Sequence, residues 1–162
     1  MDKEELAKQT YENLCKAFEL MEFTFSKNEE RLTVSCACTG DTLRINVFVR
    51  VSPDSYCVTF YSAMPYTVKK EMIGEVSTAV VCVNNNLKFG KFDIDVETGN
   101  MDYNFCNYYN HDTPAGADLL RDMLVIALHT VDKYNDKFFN VNSGLLTYKD
   151  FINIDKDDIL KS

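Results

Sequence analysis

Apolar residues recur at two different periods along this chain, and the period switches several times. From Asp2 to about Met21 the spacing is helical: Leu6, Thr10, Leu14, Phe18 and Met21 fall three or four residues apart and form one stripe. Lys3, Glu4, Lys8, Glu12 and Lys16 mark the opposite, wet side. Asp2 followed by Glu5 has the form of a capping box. The period then drops to two. Phe23 and Phe25 alternate with Glu22, Thr24 and Ser26, which predicts a first strand ending in a polar turn at Lys27-Asn28-Glu29-Glu30. Leu32, Val34, Cys36 and Cys38 share one face of a second strand, and Gly40-Asp41 turns the chain. Leu43, Ile45, Val47, Val49 and Val51 point inward from a third, with Arg44, Asn46 and Arg50 outward. After the turn at Ser52-Pro53-Asp54-Ser55, a fourth strand covers about Tyr56 to Ala63. Four strands in series with short turns predict an antiparallel meander, one face covered and one wet.

Pro65 ends that run, and a second helix is expected from about Thr67 to Asn85, with Val68, Met72, Val76, Ala79, Val80 and Val83 inward. Its many β-branched residues mean that packing must hold it. Next, Phe92, Ile94 and Val96 alternate with Lys91, Asp93, Asp95 and Glu97; Thr98-Gly99-Asn100 turns; Met101, Tyr103 and Phe105 alternate on the return. A glycine-centred turn between two alternating runs predicts a hairpin. Pro114 suits the first turn of a third helix, whose broad apolar face holds Leu119, Leu120, Met123, Leu124, Ile126, Ala127, Leu128 and Val131. That helix runs on toward Phe138-Phe139 and breaks at Asn142-Ser143-Gly144. Thr147 and Asp150 look like a second capping box opening a short terminal helix, and the polar end from Asp155 to Ser162 is expected to fray. The fold class is therefore α+β: helix, meander, helix, hairpin, long helix, with helices packed on a sheet. Residues 1–140 are expected to form a single domain, followed by a partly helical C-terminal segment at 141–162.

A length of 162 residues, 46% of them apolar and 26% charged, suits one globular core. The net charge of −8 changes the list of partners, because nucleic acid and anionic membranes both require clustered Lys and Arg. Neither is expected. The charged start Met1-Asp2-Lys3-Glu4-Glu5 lacks the form of a signal peptide, and no apolar run approaches the ~20 residues of a membrane span, so a cytoplasmic protein is expected. Six cysteines (Cys15, Cys36, Cys38, Cys57, Cys82, Cys106) include no CxxC pair and sit mostly among apolar neighbours, as reduced, packed thiols do.

Catalytic and metal chemistry find little to build on. The two histidines, His111 and His129, sit in neither an HExxH nor an HxH pattern, and no serine lies in a GxSxG elbow. Alternation would put Asp93, Asp95 and Glu97 on one strand face, but a calcium loop starting at Asp93 would need Gly where Thr98 stands and Glu where Asn104 stands. The six glycines form no phosphate cradle. No catalytic, cofactor or metal site is expected. What remains is an aromatic excess of nine Tyr and eleven Phe. Phe48 falls on the Arg44/Asn46/Arg50 side of its strand, Tyr61 and Tyr66 flank Pro65, and Tyr108 and Tyr109 end the hairpin; these five are the candidates for binding a partner.

The order of elements resembles the type III secretion chaperone-like fold. The stretch Asn84 to Phe105, NNNLKFGKFDIDVETGNMDYNF, resembles the YbjN-like family of bacterial sensory transduction regulators. The shared pattern is N-x-x-L, G-x-F-x-hydrophobic-D, T-G and a Tyr on the return strand, here Asn84 or Asn85, Leu87, Gly90, Phe92, Asp95, Gly99 and Tyr103. The resemblance implies a fold rather than a site, and a non-enzymatic role. The expected function is a protein-binding module, chaperone-like or a regulatory adaptor in a bacterial cytoplasm, either as a monomer or as a homodimer. The alternative is a sensory domain that binds a small molecule between sheet and helices.

Overall fold

The computed structural model describes residues 2–150. Its elements run α1 (Lys3–Leu20), β1 (Ser26–Asn28), β2 (Thr33–Thr39), β3 (Arg44–Ser52), β4 (Cys57–Ala63), a 3₁₀ turn (Lys70–Met72), α2 (Ile73–Asn84), β5 (Lys91–Ile94), β6 (Met101–Tyr108) and α3 (Ala117–Asn142). The strands form one antiparallel sheet in the order β1-β2-β3-β4-β6-β5. The hairpin thus joins the meander through its return strand, leaving β5 outermost. Helices α1 and α3 pack on each other and cover one face; α2 packs against α3 and β5.

Alternation puts Val34, Ile45, Val47, Val49, Val51, Val58, Phe60, Tyr103 and Phe105 under those helices, all buried. A group of rings fills the centre: Phe92 lies 5.0 Å from both Tyr103 and Phe138, and Tyr103 is 6.1 Å from Phe60. The predicted capping box at Asp2 is present, with Glu5 N donating to Asp2 Oδ1 at 2.9 Å and Asp2 N to Glu5 Oε2 at 3.1 Å.

Four boundaries differ from the sequence expectation, each for a local reason. The first strand is Ser26–Asn28 rather than Phe23 to Ser26. The Phe23 and Phe25 rings turn onto Phe18, at 6.1 and 5.3 Å, and Phe23 N bonds Phe18 O at 3.1 Å, so the alternation there serves the helix. Helix α2 begins at Ile73, not Thr67. Val68 N is claimed by Gly99 O at 2.8 Å, while the Asn142 carboxamide accepts from Lys69 N at 2.8 Å and donates to Thr67 O at 3.2 Å. Strand β5 stops at Ile94, because the Asp95 carboxylate accepts from Glu97 N at 2.9 Å and Thr98 N at 3.3 Å and bends the chain. Asp93, Asp95 and Glu97 therefore do not share a strand face. Helix α3 starts at Ala117 rather than at Pro114, since the preceding Ala115 is tied to α1: its N donates to Thr10 Oγ1 at 3.2 Å and its O accepts from Asn13 Nδ2 at 2.8 Å.

The Asn84–Phe105 motif forms one structural latch. Asn84, not Asn85, takes the asparagine role: its carboxamide donates to Phe92 O at 2.8 Å and accepts from Phe92 N at 2.9 Å, replacing the strand that β5 lacks on its outer edge. Gly90 has φ +67°, and a Cβ there would overlap the Tyr103 hydroxyl, which donates to Phe89 O at 2.9 Å. Near the C-terminus, Thr147 and Asp150 exchange the bonds of a capping box, Thr147 N to Asp150 Oδ2 at 3.2 Å and Asp150 N to Thr147 Oγ1 at 3.3 Å. The rest of the expected terminal helix and the polar end lie outside the described residues.

Candidate functional site

Among the described residues, no helix covers the second face of the sheet. The strand registers assemble one lateral row of side chains across all six strands: Ser26, Ser35, Phe48, Tyr61, Asn104 and Lys91. Phe48 and Tyr61 are directly opposite each other on β3 and β4 and keep 42% and 37% of their surface in solvent. A shallow depression lined by Phe48, Arg50, Ser52, Thr59, Tyr61 and Asn104 surrounds them. It continues beyond Tyr61 past Ala63, Pro65 and Tyr66.

Charge is distributed unevenly about this aromatic pair. On one side β3 presents Arg44 and Arg50, both exposed. On the other, Asp93 and Asp102 face each other across β5 and β6. Lys91 Nζ bonds Asp93 at 2.8 Å, and Asn104 Nδ2 donates to Asp102 and, at 3.5 Å, to Asp93. Burial and the neighbouring Asp93 charge hold the Asp102 carboxyl above its ordinary value, against bonds from Tyr61 and Asn104 that act the other way. The Tyr61 hydroxyl is raised by burial and by Asp102.

The five candidate aromatics do not form one patch. Phe48 and Tyr61 adjoin. Tyr66 is half-buried: its hydroxyl donates to Asn135 O at 2.9 Å, its ring edge meets Phe139 at 5.3 Å, and burial raises its pKa well above the usual range. Tyr108 is 74% exposed on the open face, at the far end of β6 opposite Cys57. Tyr109, one residue on, turns inward and is buried with its ring edge 5.9 Å from Tyr56. Sequence reasoning missed Asn104 and Asp102 as part of this face. Their alternation was visible, but not that β6 would lie beside β4.

His111 stacks edge-on against Tyr56 at 4.2 Å. Among the described residues, no group of three or more His, Cys, Asp or Glu side chains is placed to hold a metal ion, and no helix is long and apolar enough to cross a membrane.

No family model and no curated protein matches the chain. Among solved structures, a chain in the crystal structure of the ExsC-ExsE complex superposes with a TM-score of 0.58 at 12% identity, covering 84% of this chain and 96% of that one. The likeness shows the fold: an α+β, type III secretion chaperone-like arrangement of a six-stranded antiparallel sheet with helices on one face.

Proposed function

We propose that this chain is a non-enzymatic protein-binding module of the bacterial cytoplasm, chaperone-like or a regulatory adaptor, whose partner lies on the open face of the sheet against Phe48 and Tyr61. The observation that carries the reading is the exposure of two large aromatic side chains side by side at the centre of an uncovered sheet face. Such a pair is unfavourable in water. Covering its exposed surface gives on the order of 1 kcal/mol per ring, and paired aromatics in a polar surround are the usual anchors of an interface. The fold adds support, being shared with a chain crystallised in a complex. The YbjN-like reading, and with it a role in sensory regulation, rests on the residues from Asn84 to Phe105. A homodimer is a further arrangement the face would suit.

The test is co-purification from a lysate with the native chain and with Phe48→Lys/Tyr61→Lys. The substituted residues point to solvent, so the fold should persist while bound protein is lost. Equal recovery by both forms contradicts the assignment of the face.

A second reading follows from a cleft of about 470 Å³ between α1 and the β1–β2 end of the sheet, floored by Tyr11, Cys15 and Leu32 and rimmed by both charges, Lys8, Lys16 and Lys27 with Glu12, Glu19 and Glu29. This is the place for a small molecule held between sheet and helix. A thermal-shift screen with metabolites separates the two: a ligand that raises the melting temperature, with the shift lost in Tyr11→Ala, favours the cleft.

A further inference from the structure

The far end of the open face carries chemistry that partner binding does not use. Cys57 opens β4 and Cys106 lies late in β6. Their registers, Cys57 opposite Tyr108 and Thr59 opposite Cys106, make the two thiols diagonal neighbours on the same face. Backbone bonds of this ladder fall on the alternate pairs, Tyr109 N to Tyr56 O and Met64 N to Met101 O, each at 2.9 Å. Cys57 and Cys106 therefore occupy non-hydrogen-bonded positions, Cys57 facing Tyr108 and Cys106 facing Thr59. Right-handed twist draws a residue toward the one that lies two positions before its partner, and Cys106 has that relation to Cys57. Thr59 Oγ1 reaches both sulfurs, 3.5 Å from Cys106 Sγ and 3.8 Å from Cys57 Sγ. Ser55 Oγ lies 3.1 Å from Cys57 Sγ on its other side.

The two thiols differ in reach and in acidity. Cys106 is exposed and Cys57 is buried. Burial works to raise the Cys57 thiol, but hydrogen bonds with Ser55, Cys106, Thr59 and Ser52 outweigh it and hold the group below its ordinary value. At Cys106 burial prevails, and the thiol is raised. The pair thus has an accessible member to meet a reagent and a polarised member to resolve it.

We propose that Cys57 and Cys106 form a redox-responsive dithiol that a low-molecular-weight disulfide closes into a bridge across β4 and β6. The Cys106 thiolate attacks one sulfur of the reagent RS–SR; the Cys106–SR bond forms, the RS–SR bond breaks, and the departing RS⁻ takes up the proton that Cys106 lost. The Cys57 thiolate then attacks the Cys106 sulfur. The Cys57–Cys106 bond forms, the Cys106–SR bond breaks, and the second RS⁻ takes up the Cys57 proton. The two cysteines give up two electrons and the reagent is reduced to two thiols. The bridge would lie beside exposed Tyr108, its Cys106 end one row and its Cys57 end two rows from Tyr61, so closure stiffens one end of the open face.

The experiment uses the full chain, reduced and then incubated with oxidised glutathione. Remaining thiols are alkylated in denaturant and the digest is read by mass spectrometry. The expected result is loss of both Cys57 and Cys106 as alkylatable thiols and their recovery as one linked peptide pair, with Cys15, Cys36, Cys38 and Cys82 still alkylated. In Cys57→Ser, Cys106 should instead accumulate as the glutathione adduct. Alkylation of Cys57 and Cys106 to the same extent as Cys82 overturns the proposal, as does a bridge from Cys106 to any other cysteine. The native readout needs no substitution, so misfolding of a variant cannot obscure it.

Discussion

At the scale of single residues, the side chain of Asn84 substitutes for a whole strand. It satisfies both backbone groups of Phe92 on the outer edge of β5. Asn84→Ala removes both bonds from a part-buried site and should cost about 2 kcal/mol in urea unfolding. Asn84→Asp keeps the acceptor and loses the donor, so it should fall between the two. The turn glycines of this region were legible in the sequence because left-handed backbone and Gly go together; Gly90 and Gly99 have φ of +67° and +74°. The target of Asn84 was not legible, since Asn85 and Asn86 offer the same chemistry and only the path of the chain decides. Asp102 supports a prediction of the opposite sign. Its folded pKa is raised above the ordinary 3.8. Its contribution to stability is therefore fully present below that value and lost as pH rises through the elevated one. Unfolding free energy of the native chain relative to Asp102→Asn should fall as pH rises through the window just above 3.8. A difference independent of pH contradicts this.

At the scale of elements, period alone placed α1, β2, β3, β4 and α3, and it failed where two packings share one period. Phe23 and Phe25 alternate whether they face a sheet or fold back on Phe18. Val68 and Met72 continue the spacing of α2, yet residues 67–69 are held by Gly99 and by Asn142 at the end of α3. Asn142 is therefore a tie between elements far apart in the chain. Asn142→Ala should cost about 2 kcal/mol, and amide exchange should speed up first at Lys69. Uniform acceleration over α2 and α3 would instead mean that the tie carries no local role.

At the scale of the whole molecule, the candidate site depended on strand order. Phe48 was legible as an outlier on the Arg side of β3, and Tyr61 as an aromatic near Pro65. Their adjacency came from the register of β3 on β4, and the presence of Asn104 and Asp102 on the same face from β6 lying between β4 and β5. The same topology explains why Tyr109 is interior while Tyr108 is exposed: successive strand residues point to opposite faces, and among the described residues helices cover just one. The open face, with an aromatic pair at its centre, Arg on one flank and paired carboxylates on the other, is what the proposed partner would meet. The most direct measurement places a photo-crosslinking residue at position 48 or 61, and at exposed Val125 on α3 as the comparison. Illumination in cells should give a discrete protein adduct from positions 48 and 61 and none from 125. Adducts from 125 alone, or the same adducts from all three positions, would contradict a partner-binding role for the open face.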